Sequence, residues 1–100
     1  MAELRVHREA REELLEKIAY YEDEAGRGED FASAVEEAYA WISTTPMSFP
    51  PTRGTRAVRS TRVRGYPYRV YYEARKESVL VVAIAHERRD PDYWKMRLGG

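Results

Sequence analysis

The apolar run VVAIA, Val81 to Ala85, breaks into HERRDPDYW, His86 to Trp94: a histidine, two arginines, an Asp-Pro turn and a Tyr-Trp pair. Ending a strand needs none of this, since Gly or Asn suffices. An imidazole can carry a proton in either direction near neutral pH. Guanidinium groups stabilise anionic charge but, always protonated, make poor general bases. The set His86, Arg88, Arg89, Tyr93 and Trp94 could therefore serve chemistry on a phosphate. It could equally form a hydrophobic clasp, Tyr93 and Trp94 folding the tail over the core with the arginines as solvated turn charges. His86 shares its parity with Leu80, Val82 and Ile84, so on a straight strand it joins their face as a structural histidine.

A second set lies upstream. Arg53, Arg56, Arg59, Arg62 and Arg64 fall within twelve residues with no acid among them. Such a patch could track a nucleic-acid backbone, and it suits an acidic polypeptide as well. The net charge of zero conceals this division. Residues 1–50 hold 5 Lys/Arg against 12 Asp/Glu and residues 51–100 hold 12 against 5, so the halves carry −7 and +7. Charge asymmetry of this kind suggests a basic face for an anionic partner.

Helices and strands have to bring these side chains together. A short strand is expected at Glu3 to His7. A helix comes next over about Arg8 to Glu24, its apolar stripe at Ala10, Leu14, Ile18 and Tyr21 widened by Leu15, Ala19 and Tyr20. Glu9, Glu12, Glu13 and Glu16 stay on or near the opposite side, with Glu13 and Lys17 available as an i,i+4 pair. Gly26 and Gly28 end this helix. A second helix runs from roughly Glu29 to Ser43, with Phe31, Ala34, Val35, Ala38 and Trp41/Ile42 inward, and closes at Thr44-Thr45-Pro46. Three strands complete the chain. Arg56 to Arg64 is basic. Tyr66 to Glu73 sets Tyr68, Val70 and Tyr72 against Arg69, Tyr71 and Glu73. Val79 to Ala85, apolar on both faces, reads as the central strand. The expected fold is α+β over one domain, residues 1–100, with a helical hairpin on a mostly antiparallel sheet in the order βααβββ.

This pattern resembles the RelE/ParE superfamily of small bacterial toxins from type II toxin–antitoxin modules. The likeness rests on Ala10-Arg11-Glu12-Glu13-Leu14, Trp41-Ile42 before a Pro-containing loop, Tyr66-Pro67-Tyr68-Arg69-Val70-Tyr71-Tyr72, and the His86–Trp94 tail. It implies a protein that arrests growth when free and is neutralised by a cognate antitoxin, of ribbon-helix-helix or similar DNA-binding type. ParE-like members poison DNA gyrase without catalysis. RelE-like members enter the ribosome and cut mRNA, which needs a base for the 2′-hydroxyl, an acid for the leaving oxygen and cations at the phosphate. The residues matching that second role are His86, Arg62, Arg88 and Tyr93. No lysine lies between Pro46 and Arg64, unlike the best-known nucleases of the superfamily. The Tyr-Trp tail is more like ParE-type members, so a gyrase-directed, non-enzymatic toxin is the preferred reading, with the nuclease and a non-toxic relative as alternatives. Surfaces for target or antitoxin are expected at Arg56, Arg59, Arg62, Arg64, Arg88, Arg89 and Trp94.

No cofactor is expected, since no Gly-rich phosphate loop occurs. No metal is expected either: cysteine is absent and the two histidines, His7 and His86, lie far apart. No run of about 18 apolar residues could span a membrane, and the first residues lack the apolar core of a signal peptide. The expected compartment is the cytoplasm.

Overall fold

A computed structural model describes residues 1–52, 57–90 and 92–99. The order is β1 (Glu3–Val6), α1 (Arg8–Ala25), α2 (Gly28–Thr44), β2 (Val58–Arg62), β3 (Tyr68–Ala74), β4 (Ser78–His86), then a short helix α3 (Asp92–Lys95) and a 3-10 turn at Met96–Gly99. The four strands form one sheet in the order β1-β4-β3-β2. β1 runs parallel to β4, while β2, β3 and β4 are antiparallel. The expected α+β architecture holds, and β4 takes the central place that its two-sided apolar sequence demanded. The final helix and 3-10 turn come in addition to the expected elements.

Local chemistry sets the helix ends. The Glu9 N–H donates to His7 Nδ1 at 3.1 Å, so a histidine caps the first turn of α1. At the other end Gly26 adopts φ 64°, a left-handed conformation that costs glycine little. Its N–H and that of Arg27 return to Glu22 O and Tyr21 O. Gly28 does not end α1 but opens α2. A Cβ there would lie 3.0 Å from the Ile18 carbonyl oxygen, so its missing side chain lets the two helices approach.

Two cores flank the sheet. On one side Ala10, Phe31, Val35, Ala38 and Ile42 from the helices meet Tyr68, Val70, Tyr72, Val79, Val81 and Ile84. On the other, Val58, Tyr71, Val82, Ala83 and Ala85 meet Trp94 of the tail. The alternation expected for β3 is observed. That expected for β4 is not: its register against β3 shifts between Tyr71 and Tyr72, leaving Val82 as an extra residue. This β-bulge reverses the parity of the residues beyond it. Val82 therefore joins the tail-side core while Ile84 stays with the helices. His86, T-shaped against Tyr68 at 5.5 Å between ring centroids, shares the face of Ile84 but not that of Leu80 and Val82.

The stripe of α1 is also narrower than its apolar residues suggest. Leu14, Ile18 and Tyr21 pack on the core, whereas Leu15, Ala19 and Tyr20 are exposed. Glu13 departs from the solvent-facing set in the opposite sense. It is half-buried, and its partner is not Lys17 but the tail.

Candidate functional site

β1 is four residues long and β4 nine, so β4 outruns its partner on that side. The His7 N–H still reaches Val81 O. Beyond it, side chains take over. Glu13 Oε1 accepts the Ile84 N–H at 3.1 Å, and Arg97 Nη1 donates to Val82 O at 2.8 Å. The same two side chains pair with each other, Nη1 to Oε1 at 3.0 Å and Nη2 to Oε2 at 3.2 Å. Tyr93 OH donates to Glu13 Oε2 at 2.9 Å, and Arg97 Nε lies 3.3 Å from Glu9. A polar staple thus locks the tail onto α1 at the place where a buried strand would otherwise leave backbone groups unmet.

The electrostatics of the staple stem from this packing. Burial, then the hydrogen bond and charge of Glu13, push the Tyr93 phenol well above its usual range, against the lowering influence of Arg97 and Arg89. Burial works to lower the Arg97 value, but the hydrogen bonds and charge of Glu13 outweigh it and the net shift is upward. Tyr93 is therefore a held donor. Its neighbour Trp94 is fully buried, 5.3 Å from the ring of Tyr71. The clasp expected from the tail sequence is the arrangement that forms. Trp94 presents no surface to a partner in this conformation.

The arginines divide by face. Arg62 pairs in register with Arg69 on the tail-side face, where Arg69 Nε donates to Ser60 Oγ at 2.9 Å and Arg62 lies 4.0 Å from Glu87. Arg59 pairs with Tyr72 instead and donates to Phe49 O, tying down the loop after α2. Arg64, exposed, sits 5.2 Å from the Trp41 ring and 3.5 Å from Glu37. Arg88 and Arg89 are exposed in the turn after β4. Arg53 and Arg56 lie outside the described residues.

Of the four residues matched to RNA cleavage, His86 and Tyr93 border one cleft against α1, and Arg62 and Arg88 are not part of its wall. His86 Nδ1 already accepts the Arg88 N–H at 3.1 Å, leaving Nε2 as its free nitrogen. Sequence reasoning passed over Glu13, Lys17, Arg69 and Arg97 as site residues. Only Arg69 left a signal, its place on the strand face opposite Tyr68, Val70 and Tyr72. Among the described residues no group of three or more His, Asp or Glu is arranged to hold a metal ion, and no helix is long and apolar enough to cross a membrane.

A strand, a helical hairpin and a three-stranded antiparallel segment closed by a stapled tail define a small α+β fold. It is similar to a solved chain of the chromosomal ParDE TA system from P. aeruginosa, with a TM-score of 0.65 and 16% identity over 86% of this chain and 96% of that one. No curated protein matches the chain in sequence. Residues 4–91 match the family described as ParE toxin of type II toxin-antitoxin system, parDE. The chain belongs to the ParE toxin family.

Proposed function

We propose that this toxin arrests growth by acting on DNA gyrase in the cytoplasm, with no catalysis of its own, and that an antitoxin encoded beside it keeps it inactive. One observation carries the non-enzymatic part. The Tyr93 hydroxyl is committed to Glu13, with its acidity suppressed by burial and by that carboxylate. A general acid works best with a pKa near the operating pH, and this phenol is displaced away from it. His86 spends one nitrogen on the backbone, and Arg62 faces Glu87 rather than the cleft that His86 borders. Only His86 and Tyr93 of the four line that cleft, which supports a role other than phosphate chemistry.

Exposed Arg62, Arg64, Arg88 and Arg89 offer charge to an acidic antitoxin segment or to the target. The test is induction without antitoxin, with new mRNA 5′ ends mapped within minutes of arrest and gyrase supercoiling assayed with the purified protein. Intact mRNA with inhibited supercoiling is expected. Cuts confined to translated regions would replace this reading with a ribosome-dependent endonuclease.

A further inference from the structure

We propose that the cleft between α1 and the end of β4 is an anion pocket that takes one carboxylate side chain from an acidic polypeptide partner. The cleft has a volume of about 280 Å³, and its charged walls are Glu13, Glu16, Lys17, Arg89 and Arg97, with His86 beside them. Glu13 and Arg97 neutralise each other through their paired hydrogen bonds. That leaves Lys17 and Arg89 against Glu16.

Among the described residues neither Lys17 nor Arg89 forms an ion pair. Aromatic faces hold them instead. Lys17 Nζ lies 5.8 Å from the Tyr68 ring centroid and 5.9 Å from that of Tyr20. The Arg89 guanidinium carbon stands 3.8 Å from the centroid of Tyr93, the ring that Glu13 anchors through its hydroxyl. A ring quadrupole fixes a cation in place without cancelling its charge. A carboxylate in the same position would cancel it. Both cations are thus positioned in advance and uncompensated, which lowers the ordering cost of binding an anion.

The count of charges chooses the ligand. Among the lining side chains Lys17, Arg89 and Arg97 outnumber Glu13 and Glu16 by one positive charge, Glu9 pairing with Arg97 from outside the cleft. A single carboxylate balances that surplus, whereas a phosphate dianion overshoots and meets Glu16 as a second repulsion. A planar carboxylate also matches the donor fork of the Arg89 guanidinium that the Tyr93 ring holds. His86 Nε2 remains as a further donor once Nδ1 has accepted from Arg88. Identifying the partner as the antitoxin rests on the function proposed above; the pocket itself does not.

The experiment titrates the isotope-labelled full chain with N-acetylglutamate amide, N-acetylglutamine amide and inorganic phosphate, following the amide signals of Ala85, His86 and Arg89. Saturable shifts with the glutamate probe are expected, with none from glutamine and weaker binding of phosphate. Lys17→Gln should weaken the glutamate probe about tenfold, and Lys17→Arg should restore it. Equal response to glutamine, tighter binding of phosphate, or an unaffected Lys17→Gln variant would overturn the proposal. Growth arrest on induction is read separately, so a chain that binds glutamate but arrests nothing sinks the toxin reading and spares the pocket.

Discussion

Glu13 on the first helix and Arg97 in the final turn, 84 residues apart, meet through two parallel hydrogen bonds with side chains only 15% and 10% exposed. Each also satisfies a backbone group of β4, so the pair acts at once as an ion pair and as a substitute for a missing strand. Removing Arg97 leaves the Glu13 charge and the Val82 carbonyl unmet together, and removing Glu13 leaves the Ile84 N–H unmet and Arg97 with the more exposed Glu9 alone.

Glu13→Leu and Arg97→Met should therefore each cost about 3 kcal/mol, the range for one half of a buried ion pair. Urea denaturation of the two single variants and the double variant should show coupling above about 1 kcal/mol. Hydrogen exchange at the Ile84 amide should quicken in Glu13→Leu, which offers it no acceptor. Additive losses with unchanged exchange would mean that the pair is incidental.

Alkaline pH should reach the staple through Tyr93. Its folded value lies above the unfolded value of about 10. The folded state thus holds the proton more tightly, and this contribution is fully present below about pH 10. It is lost as pH rises from there through the folded value. Half-buried Tyr39, whose covered hydroxyl is pushed up by burial to about 12, adds to the same limb. Tyr93→Phe should flatten the fall in melting temperature above about pH 10 relative to the parent. An identical alkaline slope in the variant would exclude Tyr93 as its source.

Trp94 fills the tail-side core with no exposed surface. Trp94→Ala should cost about 3–5 kcal/mol, seen as a lower urea midpoint. The fluorescence it removes should be the blue-shifted component, because Trp41 is half-exposed. Loss of red-shifted emission instead would place Trp94 in water.

Gly28→Ala should destabilise the protein by about 1–2 kcal/mol, although alanine is the better helix former. The new Cβ would meet the Ile18 carbonyl oxygen at 3.0 Å and Glu22 at 2.9 and 3.1 Å. The Glu22 carboxylate could swing away only by giving up the Gly28 N–H it accepts at 3.1 Å, and its Cβ and the backbone of α1 cannot move. A rise in melting temperature would show that the hairpin tolerates opening.

Much of the architecture was legible because its signals are local. Phe31, Val35, Ala38 and Ile42 repeat at helical spacing, and Tyr68, Val70 and Tyr72 alternate as a strand must. The features that escaped are non-local or interrupt a period. The bulge at Val82 leaves no mark in the run VLVVAIA, since every residue there is apolar and either face would accept it. Counting in twos therefore grouped Ile84 with Leu80. Glu13 was read as a solvent charge because five other glutamates share its helix and Glu13 alone turns inward to the tail. Nothing near residue 13 announces an arginine at 97. Leu15 and Tyr20 misled in the opposite direction: apolar residues belong in cores, but exposed ones are common. The candidate site was legible as residue types and not as geometry, since which arginines face which side depends on strand register.

The parallel pairing of β1 with β4 also sets a timetable. Glu3 sits opposite Ser78 and Val6 opposite Val81, so the first strand made waits for the last strand. At a synthesis rate of about 5–20 residues per second, that interval is roughly 4–15 s. Arg97 comes later still, and until then the Ile84 and Val82 backbone groups lack their final arrangement. A nascent chain halted before Ser78 should lack a protease-resistant core, a point that pulse proteolysis of stalled chains can check. A toxin built this way matures only when nearly all of it has been translated.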